Sequence, residues 1–198
     1  MMRGFLLVGL TMPGSLTGEA GFLEGLLEAG LQKLHLRKPG VEADYLETLL
    51  EQLSPRWNSR LVLHGSRELA FKYSIPQIHG PLRGRGGMGD ERMAFSTSVH
   101  SWEEVKELPD GLAYAFLSPV FDSISKPGYP ANAALMQGPA GPYPCKIIGM
   151  GGVGEDTIAE LIRGGWDGAA VLGWIWEEPR EAVKRFLRLK KIIANERE

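Results

Sequence analysis

Lys146-Ile147-Ile148-Gly149-Met150-Gly151-Gly152-Val153-Gly154 is followed by Thr157–Arg163 and then by Gly168-Ala169-Ala170-Val171-Leu172. The first stretch opens on an apolar run of strand length, Lys146–Gly149, and passes into glycines. Thr157–Arg163 has helical spacing and stops at Gly164-Gly165, and Gly168–Leu172 is again apolar and strand-length. That order reads as strand, helix, strand. Two strands joined through a helix lie parallel, because the chain must cross back before it can pair again.

The same alternation extends toward both ends. Strands are predicted at Phe5–Leu10, Lys33–Arg37, Arg60–His64, Gln77–His79, Met93–Ser98 and Leu112–Leu117. Helices are predicted at Thr17–Ala29, Asp44–Leu53, Glu68–Tyr73, Trp102–Leu108 and Glu181–Ala194. In the first of these, Phe22, Leu23, Leu26 and Leu27 form one stripe and Gly30 is the stop. Nothing convincingly helical follows the fourth strand, and Ala131–Gln137 is a marginal helix after the sixth. Eight strands in strict alternation predict an α/β fold, a closed (β/α)8 TIM barrel, with an open doubly wound sheet as the alternative. With no linker and no repeat, residues 1–198 are expected to form one domain.

The chain has 198 residues, of which 43% are hydrophobic, enough for a sizeable core although short for an eight-unit barrel. Its net charge of −2 gives no overall attraction to nucleic acid or an anionic membrane, so any phosphate binding must be local. One short tract, Arg83-Gly84-Arg85-Gly86-Gly87, has RNA-binding composition, but a single copy in an acidic chain reads better as a loop over the active site. Trp166, Trp174 and Trp176 are read as core or as a subunit contact, which leaves a homodimer open. No apolar run reaches membrane-spanning length. The stretch from Arg3 to Leu10 faintly imitates a signal peptide, but Thr11-Met12-Pro13-Gly14 follows in place of a cleavage site, and a buried first strand is expected. Cys145 is the sole cysteine and cannot form an internal disulfide, so a cytoplasmic protein is expected.

In such barrels the active site lies at the C-terminal ends of the strands. Arg37 and Lys38 follow strand two, and His64 and His79 end strands three and four. Ser96, Ser98 and His100 come from strand five, and Ser118, Ser123, Ser125 and Lys126 follow strand six. Gly149-Met150-Gly151-Gly152 ends strand seven, and Leu172-Gly173 ends strand eight. Cations, hydroxyls and glycine amides are the donors a phosphate group needs. Arg37 shares a strand face with His35, and that face is expected to line the barrel mouth. Gly149, Gly151 and Gly154 also match the dinucleotide pattern G-x-G-x-x-G, but too little chain follows for such a domain. A tight turn whose amides hold a phosphate is the preferred reading. His64, His79 and His100 end three consecutive strands; they could converge on a transition metal or be hydrogen-bonded separately, and the second reading is favoured.

Five blocks occur in order along the chain: Leu34–Lys38, Ser98–Ser101, Ser118–Lys126, Ile148–Val153 and Gly168–Leu172. Together they resemble the thiamine phosphate synthase and thiazole tautomerase superfamily. The synthase joins hydroxymethylpyrimidine diphosphate to thiazole phosphate and releases pyrophosphate. The resemblance implies that Arg37 stabilises the pyrophosphate, that Lys126 helps hold it, and that Ser98 bonds the pyrimidine. It further implies phosphate contacts from Ser123 and Ser125, from Gly152 and from the amides near Leu172 and Gly173; Gly151 and Lys38 are further phosphate candidates by their place at the strand ends. The implied partners are small phosphorylated pyrimidine and thiazole ligands.

The chain also departs from the pattern. The synthase carries an Asn-Asp pair after strand three and an Asp after strand four, used for Mg2+. Here those regions read His64-Gly65-Ser66 and His79-Gly80-Pro81, and His35 replaces the usual Gln. Pro119 stands where the tautomerase carries a catalytic His. A synthase is therefore expected, with a tautomerase-like enzyme or a catalytically weakened binder as alternatives. Mg2+ is the family's metal, but its usual ligands are absent, so weak magnesium affinity and poor turnover are expected unless Asp90 or Glu91 reaches in. An unrelated sugar-phosphate isomerase would need an acid–base pair at the rim, where Asp122 is the main candidate.

Overall fold

A computed structural model describes residues 4–82, 93–122 and 134–197. Eight strands close into a barrel in sequence order, every neighbouring pair parallel. They are β1 (Leu6–Leu10), β2 (Lys33–Leu36), β3 (Leu61–His64), β4 (Gln77–His79), β5 (Ala94–Val99), β6 (Tyr114–Leu117), β7 (Lys146–Met150) and β8 (Gly168–Val171). The alternative open sheet is thereby excluded: β8 pairs with β1 from Leu6↔Gly168 to Gly9↔Val171. That seam depends on a glycine, since a Cβ at Gly168 would stand 2.2 Å from the Leu6 carbonyl oxygen.

The helices are α1 (Glu19–Glu28), α2 (Ala43–Gln52), α3 (Arg67–Lys72), α4 (Trp102–Lys106), α5 (Ile158–Arg163), α6 (Gly173–Trp176) and α7 (Ala182–Asn195). In α1 the predicted stripe buries Leu23, Leu26 and Leu27. Two helices start on serine caps: Ser66 Oγ accepts the Leu69 N–H, and Ser101 Oγ accepts the Glu104 N–H. The Glu104 carboxylate in turn accepts the His100 N–H, which fixes the chain entering α4. The short α6 and the 3-10 turns Pro55–Arg60 and Pro179–Glu181 have too few residues to show a period in sequence. Residues 134–137 form a turn where the end of a marginal helix was expected.

Strand alternation sends side chains into two interiors. Outward-facing Leu34, Leu36, Leu61 and Leu63 pack beneath the helices in the larger core. The barrel lumen divides by composition. Val8, Leu10, Phe116, Ile148 and Ala170 form an apolar cluster from β1, β6, β7 and β8. On β2, β4 and β5, His35, Gln77, His79 and Ser96 are buried polar groups. A polar wall inside a barrel persists only if its groups bond one another, and that requirement builds the site.

Candidate anion-binding site at the barrel mouth

Within the polar wall, His35 is fully buried. Its Nε2 lies 2.5 Å from the Tyr114 hydroxyl, and its Nδ1 lies 2.9 Å from His64 Nε2. His79 Nδ1 lies 3.0 Å from Ser96 Oγ, and His79 Nε2 lies 3.0 Å from Ser98 Oγ. Gln77 Nε2 donates to Ser96 Oγ, and that hydroxyl donates to the Ile78 carbonyl. The rings of His64 and His79 stack with centroids 4.4 Å apart. His100 is set apart, its Nδ1–H donating to the Ser118 carbonyl at 2.9 Å. The histidines that converge are therefore His35, His64 and His79, not the trio with His100 expected from strand ends. His100 is in phase with Ser96 and Ser98, but it lies one residue past the end of β5, where its ring turns to the carbonyl following β6 rather than to the other imidazoles.

Burial governs the charge of this cluster. It pushes His64 down to about 3, assisted by His79 and the Arg37 guanidinium, and His79 down to about 4, assisted by Arg37. His35 is pushed well below the ordinary histidine range by burial and by its histidine neighbours. All three rings are thus neutral at pH 7, and Tyr114 is held protonated because burial raises it.

Arg37 follows β2 with an exposed side chain, and its backbone is clamped by Thr11. Its N–H donates to Thr11 Oγ1 at 2.9 Å, and that hydroxyl donates to the Arg37 carbonyl at 3.0 Å. Thr11 was missed by sequence reasoning, because it makes its contribution only through pairing of β1 with β2. Lys38 behaves differently from the expectation. Its Nζ donates to the carbonyls of Met12 and Gly14 and to Glu19, at 2.9, 2.8 and 2.5 Å. Those three bonds saturate the ammonium, and both side chains of the ion pair are almost wholly buried. Lys38 therefore ties the segment after β1 to the segment after β2 and has no donor left for phosphate.

Across the mouth, Gly151 and Gly152 both take left-handed backbone, φ +98° and +62°. A Cβ at Gly152 would stand 2.2 Å from the Asp122 carbonyl oxygen and 2.6 Å from Phe121 Cβ, so glycine permits β7 to press against the chain leaving β6. The turn bonds run from the Val120 N–H to the Met150 carbonyl and from the Phe121 N–H to the Gly151 carbonyl; the amides of Gly151 and Gly152 donate to neither. Thr157 Oγ1 donates to the Gly152 carbonyl and accepts the Gly154 N–H, closing the turn.

A cavity of ≈ 380 Å3 opens here, bordered by Arg37, His64, His79 and Ser98 on one side and by Gly151, Gly152, Leu172 and Gly173 on the other. His100 also borders it, and His35 lies beneath. An adjoining cavity of ≈ 560 Å3 shares Arg37, His64, His79 and Ser98 and extends past Gly65, Gly80 and Pro81. Among the described residues bordering these two cavities, Glu42 is the sole carboxylate, and the inner cavity has none. A Mg2+ site needs hard oxygen ligands, usually a carboxylate or two; the described lining does not fit that ion. Ser123, Ser125 and Lys126, and also Asp90 and Glu91, lie outside the described residues. Asp122, exposed at the end of β6, does not border either cavity.

A closed parallel barrel whose strand ends set the Arg37 side chain and two left-handed glycines around one cavity defines the class: a (β/α)8 protein with a pocket at its strand ends. The pattern of the thiamine monophosphate synthase family matches residues 15–175, and the chain belongs to that family. A thiamine-phosphate synthase of Listeria monocytogenes serotype 4a (strain HCC23) is 28% identical over 182 residues, covering 78% of this chain and 80% of the relative. A crystal structure of thiamine phosphate pyrophosphorylase from Bacteroides thetaiotaomicron superposes with a TM-score of 0.79 at 28% identity, covering 96% of this chain and 98% of the other. The thiamine phosphate pyrophosphorylase of Pyrococcus furiosus shares the fold, with a TM-score of 0.77 at 17% identity over 98% of each chain. Among the described residues no helix is long and apolar enough to cross a membrane.

Proposed function

We propose that this chain joins hydroxymethylpyrimidine diphosphate to thiazole phosphate, forming thiamine phosphate and pyrophosphate. The carrying observation is the cavity that Arg37 and Ser98 share with the Gly151-Gly152 turn and the Leu172-Gly173 step, in a chain of this family. In the reaction the bond between the pyrimidine methylene carbon and the pyrophosphate oxygen breaks, and its electron pair leaves on the pyrophosphate. The thiazole nitrogen lone pair then forms the new carbon–nitrogen bond. Charge builds on the departing group, so a fixed cation beside it lowers the barrier. Arg37 is the only lysine, arginine or carboxylate residue among the described residues bordering the inner cavity, which suits it to that role. Ser98 stands beside His79 where a pyrimidine edge needs a hydrogen-bond partner. The amides of Gly151, Gly152 and Gly173 supply donors for the thiazole phosphate. Lys126, Ser123 and Ser125 are assigned to the pyrophosphate by their place in the family pattern.

The neutral lining assigns magnesium a weak role in the free protein. The test is purified protein with both precursors, titrated with Mg2+, scored for thiamine phosphate and pyrophosphate in equal amounts. Slow product formation with shallow magnesium dependence is expected. Gly65→Asp, at a left-handed position (φ +76°) that Asp adopts with less strain than most side chains and with open space around its Cβ direction, is expected to steepen that dependence. Brisk turnover with tight, saturable magnesium dependence in the unmodified chain would refute the reading of the metal site. Failure to form any product with either variant would refute the reaction.

A further inference from the structure

We propose that His35, His64 and His79 form a binding site for a borderline divalent transition metal, zinc before others, with an open coordination position facing the cavity. One nitrogen from each ring lies within 4.8 Å of one from each of the others, and two of the rings are buried. The outer edges of two rings are already held. His35 Nε2 is anchored on the Tyr114 hydroxyl and His79 Nδ1 on Ser96 Oγ, whose own proton is directed to the Ile78 carbonyl. Metal-bound imidazoles use this arrangement: one nitrogen donates to a fixed acceptor and the other keeps its lone pair for the ion. That leaves His35 Nδ1 and His64 Nε2, 2.9 Å apart, and His79 Nε2 beside Ser98 Oγ.

The spacing is close to what an ion requires. Metal–nitrogen bonds of about 2.0–2.1 Å at tetrahedral angles place ligand nitrogens about 3.3 Å apart. The His35–His64 contact must open by about 0.4 Å, and the widest separation must close by about 1.5 Å. His64 ends its strand at the cavity and is only partly buried, so its side chain has room to adjust toward the other two rings. The contact has a chemical signature as well. Two neutral imidazoles meeting nitrogen to nitrogen share one proton; when an ion binds between them, that proton moves through solvent to His64 Nδ1, and each facing nitrogen gives its lone pair to the ion. Three nitrogens, with no carboxylate among the described residues of the inner cavity, favour Zn2+, Co2+, Ni2+ or Cu2+ over Mg2+. Ser98, exposed on the cavity wall, marks the route of entry.

The site is independent of the reaction proposed above, because it is measured with no substrate present. Untagged protein is treated with EDTA, desalted, and titrated near neutral pH with Zn2+ by calorimetry and with Co2+ by visible absorption. All four histidines of the chain are His35, His64, His79 and His100, so each can be tested. One equivalent of Zn2+ is expected to bind with submicromolar affinity. Co2+ should give the intense visible bands of a four-coordinate ion, and Mg2+ should give no signal. His64→Gln and His79→Gln should each weaken binding by more than the roughly 10–100-fold cost of losing an outer hydrogen-bond partner. Tyr114→Phe should fall within that range, and His100→Gln should change nothing. Circular dichroism checks that each variant folds. Should a variant fail to fold, the unmodified protein labelled with 15N-histidine reports directly, with coordination shifts expected at three rings and none at His100. Absence of saturable binding would overturn the proposal. So would binding that survives both His64→Gln and His79→Gln, or shifts confined to His100.

Discussion

Acid should destabilise this barrel well before its carboxylates titrate. In an unfolded chain each imidazole titrates near about pH 6.5. In the fold His64 is held at about 3 and His79 at about 4, because burial disfavours the charged ring. Between those values the unfolded chain takes up protons that the folded chain refuses. The stabilisation from neutral rings is therefore complete above about pH 6.5 and is lost as pH falls toward 4 and then 3. Each pH unit costs about 1.36 kcal/mol per ring, so falling to about pH 5 removes roughly 2 kcal/mol for His64 and a similar amount for His79. His35 is shifted the same way and adds to the loss. About 4 kcal/mol is a large part of a stability of roughly 5–15 kcal/mol. The assay is urea unfolding followed by tryptophan fluorescence at pH values of about 7.5, 6.5, 5.5 and 5, with EDTA present so that no metal occupies the rings. His64→Gln serves as the comparison, whatever its absolute stability, and should lose roughly 2 kcal/mol less over the same interval. A flat profile from about pH 7.5 to 5, or identical profiles for both proteins, would refute the claim that these rings are buried neutral.

Three further outcomes follow from the packing around the mouth. Glu19→Gln leaves the buried Lys38 ammonium without its charge partner and should cost about 3–5 kcal/mol in urea unfolding. By contrast, removing the surface Arg163–Glu196 pair should leave the unfolding midpoint almost unchanged. Gly152→Ala places a Cβ against the Asp122 carbonyl at a left-handed residue, and a loss of more than about 2 kcal/mol is expected, with weaker binding of phosphate-bearing ligands. Unchanged melting and binding would show that the turn relaxes freely. Arg37→Ala and Lys126→Ala should each weaken binding of a diphosphate ligand by about 1.5–3 kcal/mol, measured by calorimetry, while an unphosphorylated pyrimidine binds as before. Equal losses for both ligands would indicate general damage to the fold.

The barrel was legible in sequence because strand–helix alternation is written locally. Phe22, Leu23, Leu26 and Leu27 announce a helix whatever lies around them, and Gly164-Gly165 announces its end. The candidate site was legible only as single positions at strand ends, such as Arg37 and the Gly151-Gly152 turn, which border one cavity. Partnerships across the barrel were not. Nothing in the sequence near Lys38 says that Glu19, 19 positions earlier, will occupy its ammonium, because the pairing arises when the segments after β1 and β2 meet. Tyr114 meets His35 across 79 positions and from the far side of the lumen. Alternation could have found part of this: His35, His64, His79 and Ser98 all fall on inward positions once the strand phases are set. Which of those inward groups touch depends on strand tilt and stagger around the barrel, and these are settled by closure rather than by any one strand.

The stretches His64-Gly65-Ser66 and His79-Gly80-Pro81 carry imidazoles and no carboxylate, and this changes the electrostatics of the mouth in a consistent direction. A carboxylate beside a diphosphate repels it unless a cation stands between them, so an acidic rim and a magnesium ion are needed together. Here the rings that stand in those regions are neutral, and the inner cavity carries no described carboxylate. Among the described residues, the inner cavity beside Arg37 presents an anion with one cation and no carboxylate. The same burial that keeps the rings neutral leaves their lone pairs available, which suits the cluster to a nitrogen-seeking ion rather than to one that seeks oxygen. The absence of carboxylates and the presence of histidines therefore act in one direction: among the described residues, nothing at the inner cavity requires a hard cation before an anion can approach Arg37.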